Sequence, residues 1–185
     1  GTDSHGSPIT NRAHQEHCNP LSIVDHYHKN FCYCFDKLQF SYDNYTLTHT
    51  NEHQNFVQAC VKQIYDNGYI YEKDGHLYWK LSSFQNDIEK FIILHEDVWR
   101  FNAINESKKY LHEGLHDRAI TRNLDWGIDV PIEGFDDKKI YVWIEAVLGY
   151  ISAGKVYCEQ HNLDWNKFYK GNNVTSYFIH GKDNI

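Results

Sequence analysis

The chain has 185 residues, with 18 Lys plus Arg against 25 Asp plus Glu and a formal charge of −7 when His is neutral. Hydrophobic residues are 41% and aromatics 16%; that is enough for one sizeable domain with its own core, and no apolar run approaches the ~20 residues of a membrane span. The acidic balance argues against a protein whose main work is gripping phosphates, because cation–phosphate contacts dominate that affinity. Any RNA contact is therefore local, or made by other parts.

The elements follow from hydrophobic spacing. Val24, Tyr27, Phe31, Phe35 and Leu38 advance by three or four, which predicts a helix with one core-facing stripe. Tyr42 to Thr48 is β-prone but weakly patterned. A second helix carries Val57, Cys60, Val61, Ile64 and Tyr65 on one face and stops at Asn67-Gly68. Tyr69 to Tyr71 and Leu77 to Lys80 flank Asp74-Gly75, a dipeptide suited to a tight hairpin turn. Ser82-x-x-Gln85 has the form of a capping box, and Phe84, Ile88, Phe91 and Ile92 continue as a helical stripe. A short helix is expected from near Asn105 to Gly114. Ile140 to Ile144 reads as a strand buried on both faces, followed by a helix from near Glu145 and by a parallel strand over Tyr177 to His180. Strand, helix, strand is the layout of a doubly wound nucleotide-binding fold. No internal repeat or low-complexity tract interrupts it.

The five Cys stand at 18, 32, 34, 60 and 158, an odd number with no signal peptide, which points to reduced thiols and a cytoplasmic location. Cys32-Tyr33-Cys34 has one intervening residue, whereas zinc knuckles need paired ligands two to four apart. No zinc is expected.

Four segments carry a family resemblance. They are Gly1-Thr2-Asp3-Ser4-His5-Gly6-Ser7-Pro8-Ile9, the stretch from Arg118 through Trp126-Gly127-Ile128-Asp129-Val130-Pro131, Ile140 to Ser152, and Phe178 to Ile185 with Gly181-Lys182-Asp183. Together and in order they resemble signature segments of methionyl-tRNA synthetases, class I aminoacyl-tRNA synthetases, and they span the chain end to end. The resemblance implies an α/β chain: a partial doubly wound, Rossmann-like fold with a mainly helical or mixed connective insertion. Residues 1–55 would end the first half of the catalytic fold, 56–117 would be the insertion, and 118–185 would start the second half. Many relatives carry Cys-x-x-Cys knuckles between segments like Gly68 to Tyr71 and Leu77 to Leu81, where this chain has only Glu72 to His76.

The resemblance also implies an activity, joining methionine to its tRNA with ATP and Mg²⁺, and assigns residues. Asp3 meets the substrate ammonium; the alternative is a helix-capping or strand-end Asp. Trp143, Ala146 and Tyr150 match the methionine pocket; an aromatic core stripe is the alternative. Arg122 lies near the substrate, unless it pairs with Asp117 or Asp125. His5 belongs to the first motif, with a structural role favoured over a general base. Gly181 and Asp183 approach the nucleotide ribose, or form an ordinary turn. Val147 stands where Pro is frequent, and Glu145 where Asp is. The two ATP motifs, His-Ile-Gly-His and Lys-Met-Ser-Lys-Ser, do not occur in these 185 residues. The chain thus reads as an internal piece of a longer enzyme, inactive alone; the alternative is a non-catalytic tRNA-binding or interaction module derived from the insertion. The expected partners are methionine, ATP and tRNA, with no membrane.

Overall fold

In the computed structural model, residues 1–181 are described. The chain opens on a loop that makes a parallel bridge between Thr2 and Leu47. Helix α1 (Ser7–Glu16) follows, starting beside Pro8, whose fixed φ suits a first turn, and ending at His17 in the left-handed region. Helix α2 (Pro20–Lys37) is capped by Asn19, which accepts from the Leu21 N–H at 2.8 Å. Helix α3 (Asn51–Asp66) is capped by Thr50 and closes at Gly68, φ 77°, where Tyr69 N–H reaches back to Ile64 O at 3.1 Å.

The hairpin β1 (Ile70–Lys73) and β2 (His76–Trp79) forms as its turn dictates, with Asp74 at φ 52° and Gly75 at φ 71°. A short 3-10 turn, Leu81–Phe84, leads into α4 (Gln85–Leu94), which packs on α5 (Phe101–Glu113). Strand β3 (Arg118–Ala119) adds antiparallel to β2, giving the order β1-β2-β3. Strands β4 (Thr121–Arg122) and β5 (Lys139–Ile140) form a second, two-stranded antiparallel sheet. Ile120 joins the two sheets: its N–H donates to Leu77 O and its carbonyl accepts from Tyr141 N–H, both at 2.8 Å. Helix α6 (Val142–Gln160) lies against α3, and α7 (Trp165–Lys170) folds back on α6.

One apolar cluster ties these pieces together. Val57 and Val61 of α3, Ile70, Leu77, Ile120, Ile128, Val130, Ile132, Phe135 and Ile140 are buried in it, with Ile144 and Leu148 of α6 packed on its edge. Helix α6 is thereby fixed to both sheets.

Several expectations need correction. The apolar run at 140–144 is not one strand: only Lys139–Ile140 is extended, its pairing is antiparallel, and the helix begins at Val142. A run without polar residues suits a buried helix as well as a strand, and length is the only arbiter. Tyr177 to His180 forms no strand. Among the described residues, parallel pairing is confined to the Thr2–Leu47 bridge, so the α/β class holds without a parallel sheet in this segment. Ser82 is no cap: its hydroxyl donates to Asp117 Oδ1 at 2.6 Å, while the Gln85 side chain spans Leu111 O and Leu115 N. Helix α1 was not anticipated, α5 starts four residues earlier than Asn105, and Tyr27, Phe31 and Leu38 of the α2 stripe are exposed.

The core position of Leu77, 1% exposed, generates a direct expectation. Leu77→Ala should cost about 2–5 kcal/mol by loss of burial and residual cavity. Leu94→Ala, at a side chain 77% exposed, should stay within roughly 0.5 kcal/mol. Urea unfolding followed by circular dichroism separates the two.

Candidate functional site

The opening loop and α6 meet at a buried, hydrogen-bonded His–Glu pair. His5 Nδ1 lies 2.7 Å from Glu145 Oε1, and their side chains are 3% and 0% exposed. Glu145 sits in the first turn of α6, where a carboxylate interacts favourably with the helix dipole. The His5 ring also meets the Trp126 indole edge-on at 5.2 Å, and Trp126 Nε1 donates to Ser4 O at 2.7 Å. The loop approaches the helix closely, since a Cβ on Gly6 would lie 3.8 Å from Val142 Cγ2.

Around this pair runs a seam of hydrogen-bonded polar groups. Ser4 N–H donates to Thr48 Oγ1 at 2.9 Å, and the Ser4 hydroxyl shares a 2.8 Å bond with His49 Nδ1. Thr2 Oγ1 is shared by His28 Nδ1 at 3.1 Å and Tyr45 OH at 2.9 Å. His53 of α3 reaches Ser152 of α6, Nδ1 to Oγ 2.7 Å. Buried polar groups must be paired to avoid the desolvation cost. The seam does this almost completely, leaving His53 Nε2 and Glu145 Oε2 without a partner.

Burial sets the protonation preferences. It pushes Glu145 above the usual carboxylate range, an effect His5 opposes and Asp3 reinforces. Desolvation likewise raises Asp3, opposed by the Gly1 ammonium and by His5. His53 is pushed down to about 4 by burial and secondarily by His5; His49 is lowered for the same leading reason.

The expected site residues distribute as follows. Asp3 is exposed and within electrostatic reach of Glu145. Trp143, Ala146 and Tyr150 all lie within α6, at helical spacing on one face, so Trp143 belongs to the helix and not to a strand end. Trp143 and Tyr150 are 43% and 38% exposed, and Ala146 is half-buried. Glu145, on the opposite side of the helix, faces inward. Tyr150 meets Phe178 and His180 at ring distances of 6.2 and 6.4 Å, so the described part of the last motif reaches the middle of α6. Gly181 is exposed beside it in sequence, and Asp183 lies outside the described residues. Val147 sits in the second turn of α6 rather than at a helix start, where its N–H can join the helical ladder that Pro would interrupt. Arg122 pairs with neither Asp117 nor Asp125: its guanidinium stacks 3.8 Å over the Tyr141 ring and donates to the carbonyls of Ala119 and Thr121.

Glu145, Trp126, His53 and Ser152 are parts of this region that sequence reasoning missed as participants. A signal existed for one of them. A lone carboxylate inside the apolar run 140–148 has to find a buried partner or the run cannot be buried.

Among the described residues no group of three or more His, Cys, Asp or Glu could hold a metal ion, and no helix is long and apolar enough to cross a membrane.

Comparison with known proteins gives a consistent account. The family model described as "tRNA synthetases class I (M)" matches residues 1–75 and 72–185. Methionine–tRNA ligase 1 of Alkaliphilus oremlandii (strain OhILAs) is 35% identical over 248 residues, covering 100% of this chain and 46% of the relative. Methionine–tRNA ligases of Bacillus cereus (strain B4264) and Streptococcus pneumoniae (strain CGSP14) are 33% and 35% identical at the same coverages. The chain spans about half the length of the relatives it matches. The first alignment runs over 248 positions against 185 residues, a difference of 63. The family model breaks at residues 72–75, the hairpin turn. A structure of Mycobacterium tuberculosis methionyl-tRNA synthetase bound by methionyl-adenylate superimposes with a TM-score of 0.75 over 83% of this chain and 38% of that one, at 19% identity. That likeness shows the fold: the α/β architecture is the one these synthetases have over the matched part.

The polar seam makes the fold sensitive to acid at His53. In the folded chain His53 titrates near 4 against 6.5 for an ordinary His, so the unfolded chain binds the proton more readily between those values. Stability from keeping His53 neutral is present above about pH 6.5 and is lost as pH falls through 4, about 3 kcal/mol in full. The raised Glu145 works in the opposite sense, its contribution being present at low pH and lost as pH rises through its folded value. Comparing wild type with His53→Gln by urea denaturation at pH 7 and at pH 4.5 isolates the histidine. The wild-type advantage should shrink at pH 4.5.

Proposed function

The chain belongs to the class I tRNA synthetases of the M type, and from that membership we propose that it is the central part of a methionine–tRNA ligase, carrying the amino-acid site of the enzyme. One observation carries the reading. The buried His5–Glu145 contact holds the loop bearing Asp3 against the helix whose open face presents Trp143, Ala146 and Tyr150.

The chemistry suits that arrangement. An amino acid to be activated brings an ammonium, a side chain to be measured and a carboxylate that attacks the α-phosphate of ATP. Asp3 supplies the charge for the ammonium. Trp143 and Tyr150, one helical turn on either side of Ala146, supply an aromatic wall for a thioether, worth roughly 0.3–1.5 kcal/mol per sulfur–aromatic contact. Ala146 between them leaves room for an unbranched chain. No protein nucleophile is needed, because adenylate formation rests on positioning and electrostatic stabilisation. Arg122, held on Tyr141 just before α6, presents a fixed cation at the same end of the helix.

ATP is the expected co-substrate, with Gly181 and Asp183 near its ribose. Mg²⁺ would accompany the ATP phosphates, where it would neutralise charge. tRNA is the second substrate and the cytoplasm the compartment. Residues 1–55 and 118–185 form the two catalytic parts, and 56–117 the connective insertion, shortened at the hairpin.

The test is methionine-dependent exchange of pyrophosphate into ATP. The full-length polypeptide that carries this chain should exchange with methionine and not with valine, and the 185 residues alone should not exchange at a useful rate. Tyr150→Ala in the full-length protein should raise KM for methionine tenfold or more with a smaller change in kcat. Exchange supported by a different amino acid in preference to methionine would refute the assignment.

A further inference from the structure

Helix α7 takes no part in the amino-acid site as proposed, yet it ends directly behind one wall of it. Asp164 Oδ1 accepts from the Asn166 and Lys167 N–H groups at 2.9 and 3.1 Å and so fixes where this short helix starts. Facing it, α6 carries Gly154. A Cβ built on that residue would lie 2.9 Å from Tyr169 Cε2, 3.5 Å from Trp165 Cζ3 and 3.6 Å from Phe168 Cε1. Three rings of α7 fill the notch, and Tyr169 comes closest. Glycine weakens a helix interior relative to alanine, so what this position gains is the close approach.

Seating the ring there brings the Tyr169 hydroxyl to the backbone of α6, where it donates to Tyr150 O at 2.9 Å. In a helix that carbonyl also accepts from the N–H four residues on, which belongs to Gly154, and a second lone pair is left for a side chain. Asn44 Nδ2, from the loop before α3, likewise donates to Ala153 O at 3.0 Å. The Tyr169 ring also stands 6.4 Å from Phe178, which meets the Tyr150 ring edge-on at 6.2 Å. Tyr169 therefore reaches Tyr150 twice, at its main chain directly and at its side chain through Phe178.

Apolar packing alone would not set this arrangement. Trp165 and Phe168 supply contact that tolerates small slides of one helix along the other, whereas a hydrogen bond to one carbonyl has a required distance and angle. The aromatic wall needs that definition, because Tyr150 is 38% exposed and stands outside the buried apolar cluster.

Resting on the amino-acid site proposed above, we propose that Tyr169, with its ring in the Gly154 notch and its hydroxyl on Tyr150 O, is a positioning residue that sets where the Tyr150 ring stands against the methionine side chain. Phe178 is the second link of the same chain of contacts. Neither residue is required for the chemistry at the α-phosphate. Their effect falls on the fit of the amino acid, and it vanishes when the Tyr150 ring is gone.

The experiment uses the full-length polypeptide that carries this chain, as wild type, Tyr169→Phe, Gly154→Ala, Tyr150→Ala and the double variant Tyr150→Ala/Tyr169→Phe. Methionine-dependent exchange of pyrophosphate into ATP gives kcat and the KM values for methionine and ATP, and thermal unfolding is followed beside it. Tyr169→Phe, which removes one hydroxyl, should raise KM for methionine about threefold, the scale of one neutral hydrogen bond. Gly154→Ala pushes the Tyr169 ring out of the notch and should raise it about tenfold, although alanine suits the helix better, so Tm should not fall. In both variants kcat and KM for ATP should stay as in wild type. In the Tyr150→Ala background, Tyr169→Phe should change nothing further.

An unchanged KM for methionine in Tyr169→Phe or in Gly154→Ala overturns the inference. So does a Tyr169→Phe effect that persists undiminished in the Tyr150→Ala background, or a joint loss of kcat, ATP affinity and Tm, either of which marks α7 as scaffold only. These failures leave the amino-acid site standing as long as wild type exchanges with methionine. A wild type that prefers another amino acid fails the functional reading itself, and the inference falls with it before any variant is compared.

Discussion

A carboxylate with no exposure to water has to be answered inside the protein, and the contact that answers Glu145 holds the rest of the site in place. It joins residue 5 to residue 145, across a sequence separation that includes two sheets and the five helices α1 to α5. The apolar cluster beneath fixes α6 to the sheets through Ile144 and Leu148, but that packing alone does not bring the opening loop to the helix. The loop arrives through polar contacts: Ser4 to Thr48 and His49, Thr2 to Tyr45 and His28, and His5 to Glu145. Directional bonds of this kind specify one arrangement, whereas apolar contact tolerates several.

This division explains where sequence reasoning succeeded. The α3 stripe, the Asn67-Gly68 stop and the Asp74-Gly75 hairpin are local decisions, set by spacing and by which residues accept positive φ, and they are found as expected. The three α6 residues were identified through resemblance, and their common face follows from helical spacing once the helix start is known. That start was misplaced by three residues because Val142, Trp143 and Ile144 have the composition of a strand, and nothing local distinguishes a buried strand from a buried helix over five residues. The α2 stripe was misjudged for a different reason: periodicity shows which residues share a face, not what covers it. The Glu145 partner was illegible, since no local rule links a charge in one helix to a histidine 140 positions away.

The hairpin shows how a fold accommodates the loss of a large insertion. The alignment with the Alkaliphilus oremlandii relative runs 63 positions beyond the 185 residues of this chain, and the family model breaks at 72–75. The two strands flanking that point are joined here by two residues at φ 52° and 71°, a turn whose twist suits the strands. Leu77, next to it, remains 1% exposed in the common core, so the junction leaves the packing beneath undisturbed.

The central claim is that the loop carrying Asp3 and the open face of α6 make one amino-acid site. Calorimetric titration of methionine into the full-length polypeptide and its Asp3→Asn variant tests it most directly, because that substitution keeps the shape and removes the charge. The account predicts saturable binding of methionine by wild type and loss of at least tenfold in affinity in the variant, with unchanged thermal unfolding. Equal affinity in the two proteins would contradict it.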